Sequence, residues 1–413
     1  MKILFLSHYF PPEVGALASR TYDHCREWVR QGHQVTVLTA TPNYPRGEIY
    51  PGYRSRLWQR EEKSGIQIVR VWTYVTPNER FLKRTISYVS YMISAILATP
   101  LLPKQDVVIT TSPHLFSGLA GFVVSGLKRA PWVLEIRDLW PKSILAVGAI
   151  RNRTIIRALE WLERFAYRHA DRIVPVTDAF QDYIEGLEIP ADRIRVIKNG
   201  VDLHKFQPAA PNPALRAELG LDGKFVAAYV GTHGMAHHLE TVLEAAALLH
   251  ARTDISFLLV GDGAERARLQ ALKEQMGLRN VLMLPHQPRE RMPAIWAATD
   301  LSLVVLRKND LFKTVIPSKI FESMAMQRPV ILGVEGESLE IVEEAGAGVG
   351  IEPENAAALA EEIALLASDP ARCASMGRSG RAYVEAHFDR RVLANQYLQV
   401  LQDVVGSTKK QYR

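Results

Sequence analysis

Short apolar runs alternate with longer segments of helical period along most of the chain. In the first half, Lys2–Ser7, Val35–Thr39, Ile66–Trp72, Val107–Thr111, Trp132–Ile136 and Arg172–Val176 read as strands. Most are continuously apolar, as strands covered on both faces should be. Helix-length segments separate several of them, among them Ala16–Gln31, Leu115–Lys128 and Asn152–Ala170. This alternation predicts a parallel, doubly wound sheet. The second half repeats the plan. Phe225–Val230, Phe257–Val260, Val281–Leu284, Leu301–Val305 and Val330–Gly333 read as strands, and Leu239–Ala251, Ala264–Met276, Arg289–Ala298 and Ser318–Met326 as helices. Leu239, Val242, Leu243 and Ala246 keep one apolar stripe.

Between the halves, Ile197–Pro213 carries Asn199-Gly200 and three prolines without helical period, which marks a domain connection. A length of 413 residues also exceeds one ordinary core. Two open α/β domains follow. Such sheets bind ligands beyond the carboxyl ends of their strands, so the expected site is a cleft between facing domains.

Composition changes this picture little. Cys25 and Cys373 are too few for a disulfide framework or thiolate metal site, which fits a reducing cytosol. The opening Met1–Leu6 runs straight into Ser7-His8, so no signal peptide is expected. Charge is more informative. Residues 1–200 hold 27 Lys and Arg against 18 Asp and Glu, whereas 201–413 hold 23 against 26. The basic half could face nucleic acid, anionic lipid or a phosphorylated substrate. No nucleic-acid module is recognisable. Ile86–Leu102 is apolar but short for a membrane span, with Arg80, Lys83 and Arg84 before it and Lys104 after it. It reads either as a domain helix or as a surface helix touching a bilayer.

Candidate chemistry lies at predicted strand ends. Gly15 follows the loop Ser7–Val14 and would let backbone N–H groups approach a phosphate. Arg137 and Asp138 end a strand, either as an ion pair or as substrate contacts. Gly231-Thr232-His233 and His237 form a second strand-end turn whose imidazoles could hydrogen-bond a diphosphate or sugar; a zinc reading lacks a fourth ligand nearby. Gly261-Asp262 reads as a tight turn, and His286-Gln287 could meet a base. No Asp-x-Asp pair occurs, so no metal-bridged diphosphate is expected. In Thr314–Ala325, Pro317 and Ser318 suit a helix start, Lys319 adds a cation, and Glu322 shares its face and could hold two ribose hydroxyls.

Five stretches in this order resemble glycosyltransferase family 4: Gly32–Thr39; Val196–Asp202 with Phe206; Val230-Gly231 with Leu239–Leu249; Leu259–Gly263; and Phe321–Ala325 with Pro329–Ile331. Tyr9–Glu13, Arg137–Pro141 and Pro317–Glu322 are similar to a bacterial subgroup that includes O-antigen N-acetyl-fucosamine and colanic-acid transferases. The resemblance implies a GT-B fold: an acceptor domain, residues 1–198; a nucleotide-sugar domain, 199–388; and a tail, 389–413, returning to the first. It implies retaining, metal-independent transfer with no cofactor. The donor would be a nucleotide-diphosphate sugar. The acceptor would be a lipid-linked saccharide, held by a peripheral enzyme on the cytoplasmic face of the inner membrane through region 46–102.

Three positions depart from the family pattern. Thr232 and His237 stand where an Arg and a Lys usually meet the diphosphate, and Thr314 stands where a sugar-binding Glu is usual. Lys319, with Lys313, is expected to supply the missing cation. Gly15 and Asp138 would line the reacting side. The open alternatives are a UDP-N-acetylglucosamine 2-epimerase-like enzyme of the same fold and a non-catalytic nucleotide-sugar-binding subunit.

Overall fold

The computed structural model describes residues 1–413 except 45, 46, 78–80, 113, 114, 147, 149, 151, 210–212, 412 and 413. The chain divides into two compact units, Met1–Asn199 with Arg390–Arg413, and Gly200–Asp389.

The first unit holds β1 (Lys2–Leu6), β2 (Gln34–Ala40), β3 (Trp58–Lys63), β4 (Ile66–Val71), β5 (Val107–Thr111), β6 (Trp132–Ile136) and β7 (Arg172–Pro175). They form one sheet in the order β3-β4-β2-β1-β5-β6-β7. All pairs are parallel except β3 with β4. The apolar pattern predicts every strand but β3, whose sequence WQREEK is polar. As an antiparallel edge strand it needs no second apolar face. Its register comes from a two-residue turn in which Ser64 and Gly65 both take positive φ, as a right-twisted hairpin requires.

Helices cover both faces. On one, Ala16–Arg30 packs with Arg390–Gln411: Phe5, Trp28, Tyr397 and Leu401 share a core, and Trp28 Nε1 donates to Ala394 O at 2.9 Å. On the other lies Phe81–Ala98, which buries Tyr91 and Ala95 against β2 and β4 residues. The Ile86–Leu102 segment is therefore a sheet-covering helix, with its last residues in a 3₁₀ turn. Among the described residues no helix is long and apolar enough to cross a membrane.

The second unit holds β8 (Phe225–Val230), β9 (Ile255–Val260), β10 (Val281–Leu284), β11 (Leu301–Val305), β12 (Val330–Gly333) and β13 (Gly348–Gly350). Its sheet is wholly parallel, in the order β10-β9-β8-β11-β12-β13. Three-residue β13 carries too few apolar positions to read from sequence; a Cβ on Gly348 would lie 2.0 Å from Val330 O, so only glycine allows that pairing. Because every strand points the same way, all loops that follow strands gather along one edge.

Candidate active site

Along that edge of the second unit, two loops pack closer than side chains permit. A Cβ on Gly261 would lie 1.8 Å from Gly231 O, and one on Gly263 2.4 Å from His233 O. The glycines let the loops join through His233 N to Asp262 O and Glu265 N to His233 O, each 2.9 Å. Asp262 Oδ1 accepts from Gly263 N at 2.9 Å, a turn-forming role. Arg266 closes the same edge by donating to Gly261 O and Leu284 O, both at 2.9 Å.

Lys319 reaches into this frame from the helix Lys319–Ala325. The residue is partly exposed, but its Nζ is buried and has no hydrogen-bond partner among the described residues. It sits 3.5 Å from the Tyr229 ring centroid, a cation–π contact. A Cβ on Gly231 would lie 2.9 Å from it. Burial lowers its pKa from 10.5 to about 7, with Glu322 one turn on opposing the shift. Tyr229 OH donates to Thr232 O at 2.7 Å and so fixes both its own ring and the turn.

The histidines beside Lys319 are neutral. Burial lowers His233 to about 4 and His237 to about 3. His233 is fully buried. Sequence leaves their charge open; the structure favours the neutral form, because burial disfavours the imidazolium and Lys319 repels a second positive charge. His238 turns away to Thr241 Oγ1 at 3.0 Å. No cluster of His, Cys, Asp and Glu suited to a metal occurs among the described residues.

Several other expected positions take different partners. Lys313 Nζ lies 3.1 Å from Asp310 and 3.3 Å from Glu335, so its charge is already balanced. Among the described residues, Lys319 is thus the cation of the two with no carboxylate in ion-pair contact. Thr314 Oγ1 donates to Leu311 O at 2.6 Å inside a 3₁₀ turn. Pro317 and Ser318 precede a helix of only seven residues, and Ser318 makes no side-chain cap. Two turns sum few peptide dipoles, so the helix start adds less to anion binding than the sequence suggests. Glu322 Oε2 accepts from buried Trp296 Nε1 at 3.4 Å, which steadies the carboxylate. His286 and Gln287 follow β10, on the flank of the sheet; Gln287 Nε2 donates to Pro285 O at 3.0 Å.

In the first unit, Gly15 precedes the helix Ala16–Arg30, and a Cβ there would meet nothing within 4 Å. Arg137 and Asp138 do not pair; they point to different surroundings. Arg137 is partly buried, with Nε and Nη1 enclosed, near Glu135, Arg20, Arg390 and Tyr397, and loss of hydration lowers it to about 9. It lies beside an interior network in which Arg20 Nε meets Glu135 Oε1 at 2.8 Å and Arg20 Nη1 donates to Lys198 O at 2.7 Å, but among the described residues its own Nε and Nη1 have no hydrogen-bond partner. Asp138 lines a recess with Ser112, Trp140 and Tyr167, and burial raises it to about 6. Ser112 Oγ accepts from Arg137 N at 2.7 Å and Asp138 N at 3.3 Å, pinning the strand exit.

Residues 15–200 match the family of glycosyl transferase 4-like domains, and 212–383 match the glycosyl transferases of group 1. The chain belongs to glycosyltransferase family 4. A relative of this family-4 glycosyltransferase is WcaI of Escherichia coli (strain K12), assigned to colanic acid biosynthesis; it is 28% identical, over 96% of this chain and 99% of its own. The fold is that of sucrose-phosphate synthase from Thermosynechococcus elongatus (TM-score 0.78, 19% identity, covering 98% and 99% of the two chains). It is also that of Anabaena HepE in complex with UDP-glucose (TM-score 0.71, 19% identity, covering 98% and 100%). These are GT-B structures, and the matched families are transferases, which favours transfer over the epimerase alternative.

Tyr229, Trp296 and Arg266 shape the site of this glycosyltransferase and carry no sequence signal that singles them out. Tyr229 and Trp296 read as core aromatics, and Arg266 as one of several exposed helix cations. Their roles depend on which loops the sheet order brings together.

Proposed function

We propose that this chain is a retaining, metal-independent glycosyltransferase that draws on a nucleotide-diphosphate sugar, with UDP as the nucleotide. The sugar is an N-acetylated aminosugar such as N-acetyl-fucosamine. The acceptor is an undecaprenyl-diphosphate-linked saccharide in the synthesis of O-antigen, capsule or exopolysaccharide. The observation that carries the donor reading is Lys319. A buried ammonium without hydrogen-bond or ion-pair partner, framed by glycine loops and placed one turn from a carboxylate, suits a diphosphate with a ribose beside it. The transferase named for colanic acid supports the polymer class, and the UDP-glucose complex of HepE supports the donor class.

In this reading Lys319, with Gly231, Thr232 and Ser318 backbone groups, holds the diphosphate. Glu322 takes the ribose hydroxyls, and His286-Gln287 lies toward the base. Negative charge grows on the departing diphosphate as the glycosidic bond breaks, and Lys319 stabilises it most at that point. Neutral His233 and His237 offer hydrogen bonds to the sugar or diphosphate without adding charge. Asp138 orients the acceptor hydroxyl from the first unit. The enzyme is peripheral on the cytoplasmic membrane face. The outer side of Phe81–Ala98 supports this, since Leu82 and Leu97 are 70% and 72% exposed, with Lys83 also exposed. Arg46 and Arg80 lie outside the described residues.

A thermal-shift screen of nucleotide sugars tests the donor, and a transfer assay with the best donor and lipid-linked N-acetylglucosamine tests the reaction. One UDP-sugar should stabilise the protein with the logarithm of its concentration over its Kd, and transfer should survive a chelator. No stabilisation by any UDP-sugar would refute the reading.

A further inference from the structure

Arg84 does not join the exposed face of its helix. Its neighbours Leu82, Lys83 and Ile86 are exposed, but Arg84 turns inward. Its Nε donates to Tyr88 OH at 3.0 Å, and its charge is felt by Tyr9, Tyr44 and Asp138. The rings form one aromatic wall. Tyr9 lies 4.8 Å from Tyr44 and 4.7 Å from His8, His8 lies 5.3 Å from Tyr88, and Tyr88 lies 6.0 Å from Trp140. Among the described residues no carboxylate stands within 4 Å of the Arg84 guanidinium.

The wall is built rather than incidental. Glu13 Oε1 accepts from Asn43 N and Tyr44 N, both at 2.9 Å, and Oε2 accepts from Phe10 N at 3.2 Å. One buried carboxylate thereby ties the loop carrying Tyr9 to the loop carrying Tyr44. Tyr50 OH donates to Tyr44 O at 2.9 Å and holds the second loop from its other side. A partly buried guanidinium with a single neutral partner, set among rings, favours an anion with oxygen acceptors over a neutral hydroxyl group.

We propose that Arg84, oriented by Tyr88, binds the phosphate oxygens of a prenyl-diphosphate-linked saccharide, its sugar toward Asp138 and its lipid leaving past Leu82 and Ile86. This assignment rests on the acceptor reading above and adds the residue that reads the diphosphate. The polarity follows from the helix. Arg84 shares its first turns with the two exposed apolar side chains, while the Asp138 carboxyl lies within range of its charge and lines a recess with Trp140, whose ring stands 6.0 Å from Tyr88.

The test measures binding, not turnover, so it stands apart from the transferase reading. Geranyl-diphosphate-linked N-acetylglucosamine, octyl N-acetylglucosaminide and inorganic diphosphate are titrated into the full chain and followed by calorimetry. The wild type should bind the diphosphate-linked sugar at least tenfold more tightly than either other probe. Arg84→Ala should remove that preference and leave octyl-glycoside affinity unchanged, and Arg84→Lys should fall between. Equal binding of the first two probes by the wild type would overturn the proposal, as would equal losses for both in Arg84→Ala. Inorganic diphosphate binding as tightly as the linked sugar would overturn the acceptor assignment. Binding as expected without any sugar transfer would refute the transferase reading and leave this subsite standing.

Discussion

Replacing Lys319 by Met should make the free protein more stable and the donor bind worse. The unfolded chain holds the Lys319 proton up to pH 10.5, the folded chain only up to about 7. Between those values the unfolded state binds more protons, so stability rises with pH, and the penalty is fully present below about 7. At pH 7 the difference corresponds to roughly 4 kcal/mol, an upper bound because side chains and water relax around a buried charge. Methionine keeps the aliphatic stem and removes the ammonium. In a unit of about 190 residues, Gly200–Asp389, 1 kcal/mol moves the melting temperature by about 2–4 °C. The variant should therefore melt several degrees above the wild type at pH 7, and the gap should narrow at pH 9. UDP affinity should fall roughly 10- to 100-fold, the worth of a charge-assisted hydrogen bond of about 1.5–3 kcal/mol. Calorimetry of the wild type at pH 8 should show proton uptake on UDP binding, seen as a dependence on the buffer's ionisation enthalpy. A variant that melts no higher than the wild type at pH 7, or that binds UDP equally well, refutes the reasoning.

Gly15→Ala should fold normally, because the added Cβ meets nothing within 4 Å, yet lose at least about tenfold in kcat/KM if a ligand approaches that backbone. Unchanged kinetics would remove Gly15 from the site. The pH–rate profile should have an acidic limb near 6, since Asp138 must be ionised to accept from a hydroxyl and burial raises it to about 6; Asp138→Asn should lack the limb along with most of the rate. Leu401→Ala should destabilise the first unit by about 2–5 kcal/mol, read as a lower urea midpoint, because Leu401 is fully buried with Trp28 and Tyr397. A midpoint near wild type would mean that Arg390–Gln411 is not part of that core's cooperative unit.

Hydropathy alone determined the two parallel-sheet domains, because parallel strands need apolar side chains on both faces and so leave unbroken runs such as Phe225–Val230. It missed β3 and β13 for the complementary reason: an edge strand can be polar, and a three-residue strand leaves no period. Family motifs likewise brought Gly231, Lys319 and Glu322 into view as one candidate group, and the structure gathers them at one sheet edge. What the sequence could not assign was the state of each charge. Lys319 and Lys313 are equivalent as letters, yet one is buried over Tyr229 without an ion partner and the other is paired with Asp310 and Glu335. Arg137 and Asp138 are adjacent in the chain, but at the bend that follows β6 one lies beside the Arg20–Glu135 pair and the other lines a recess. Charge and orientation depend on solvent access and on neighbours far away in sequence, and those exist only once the chain has folded.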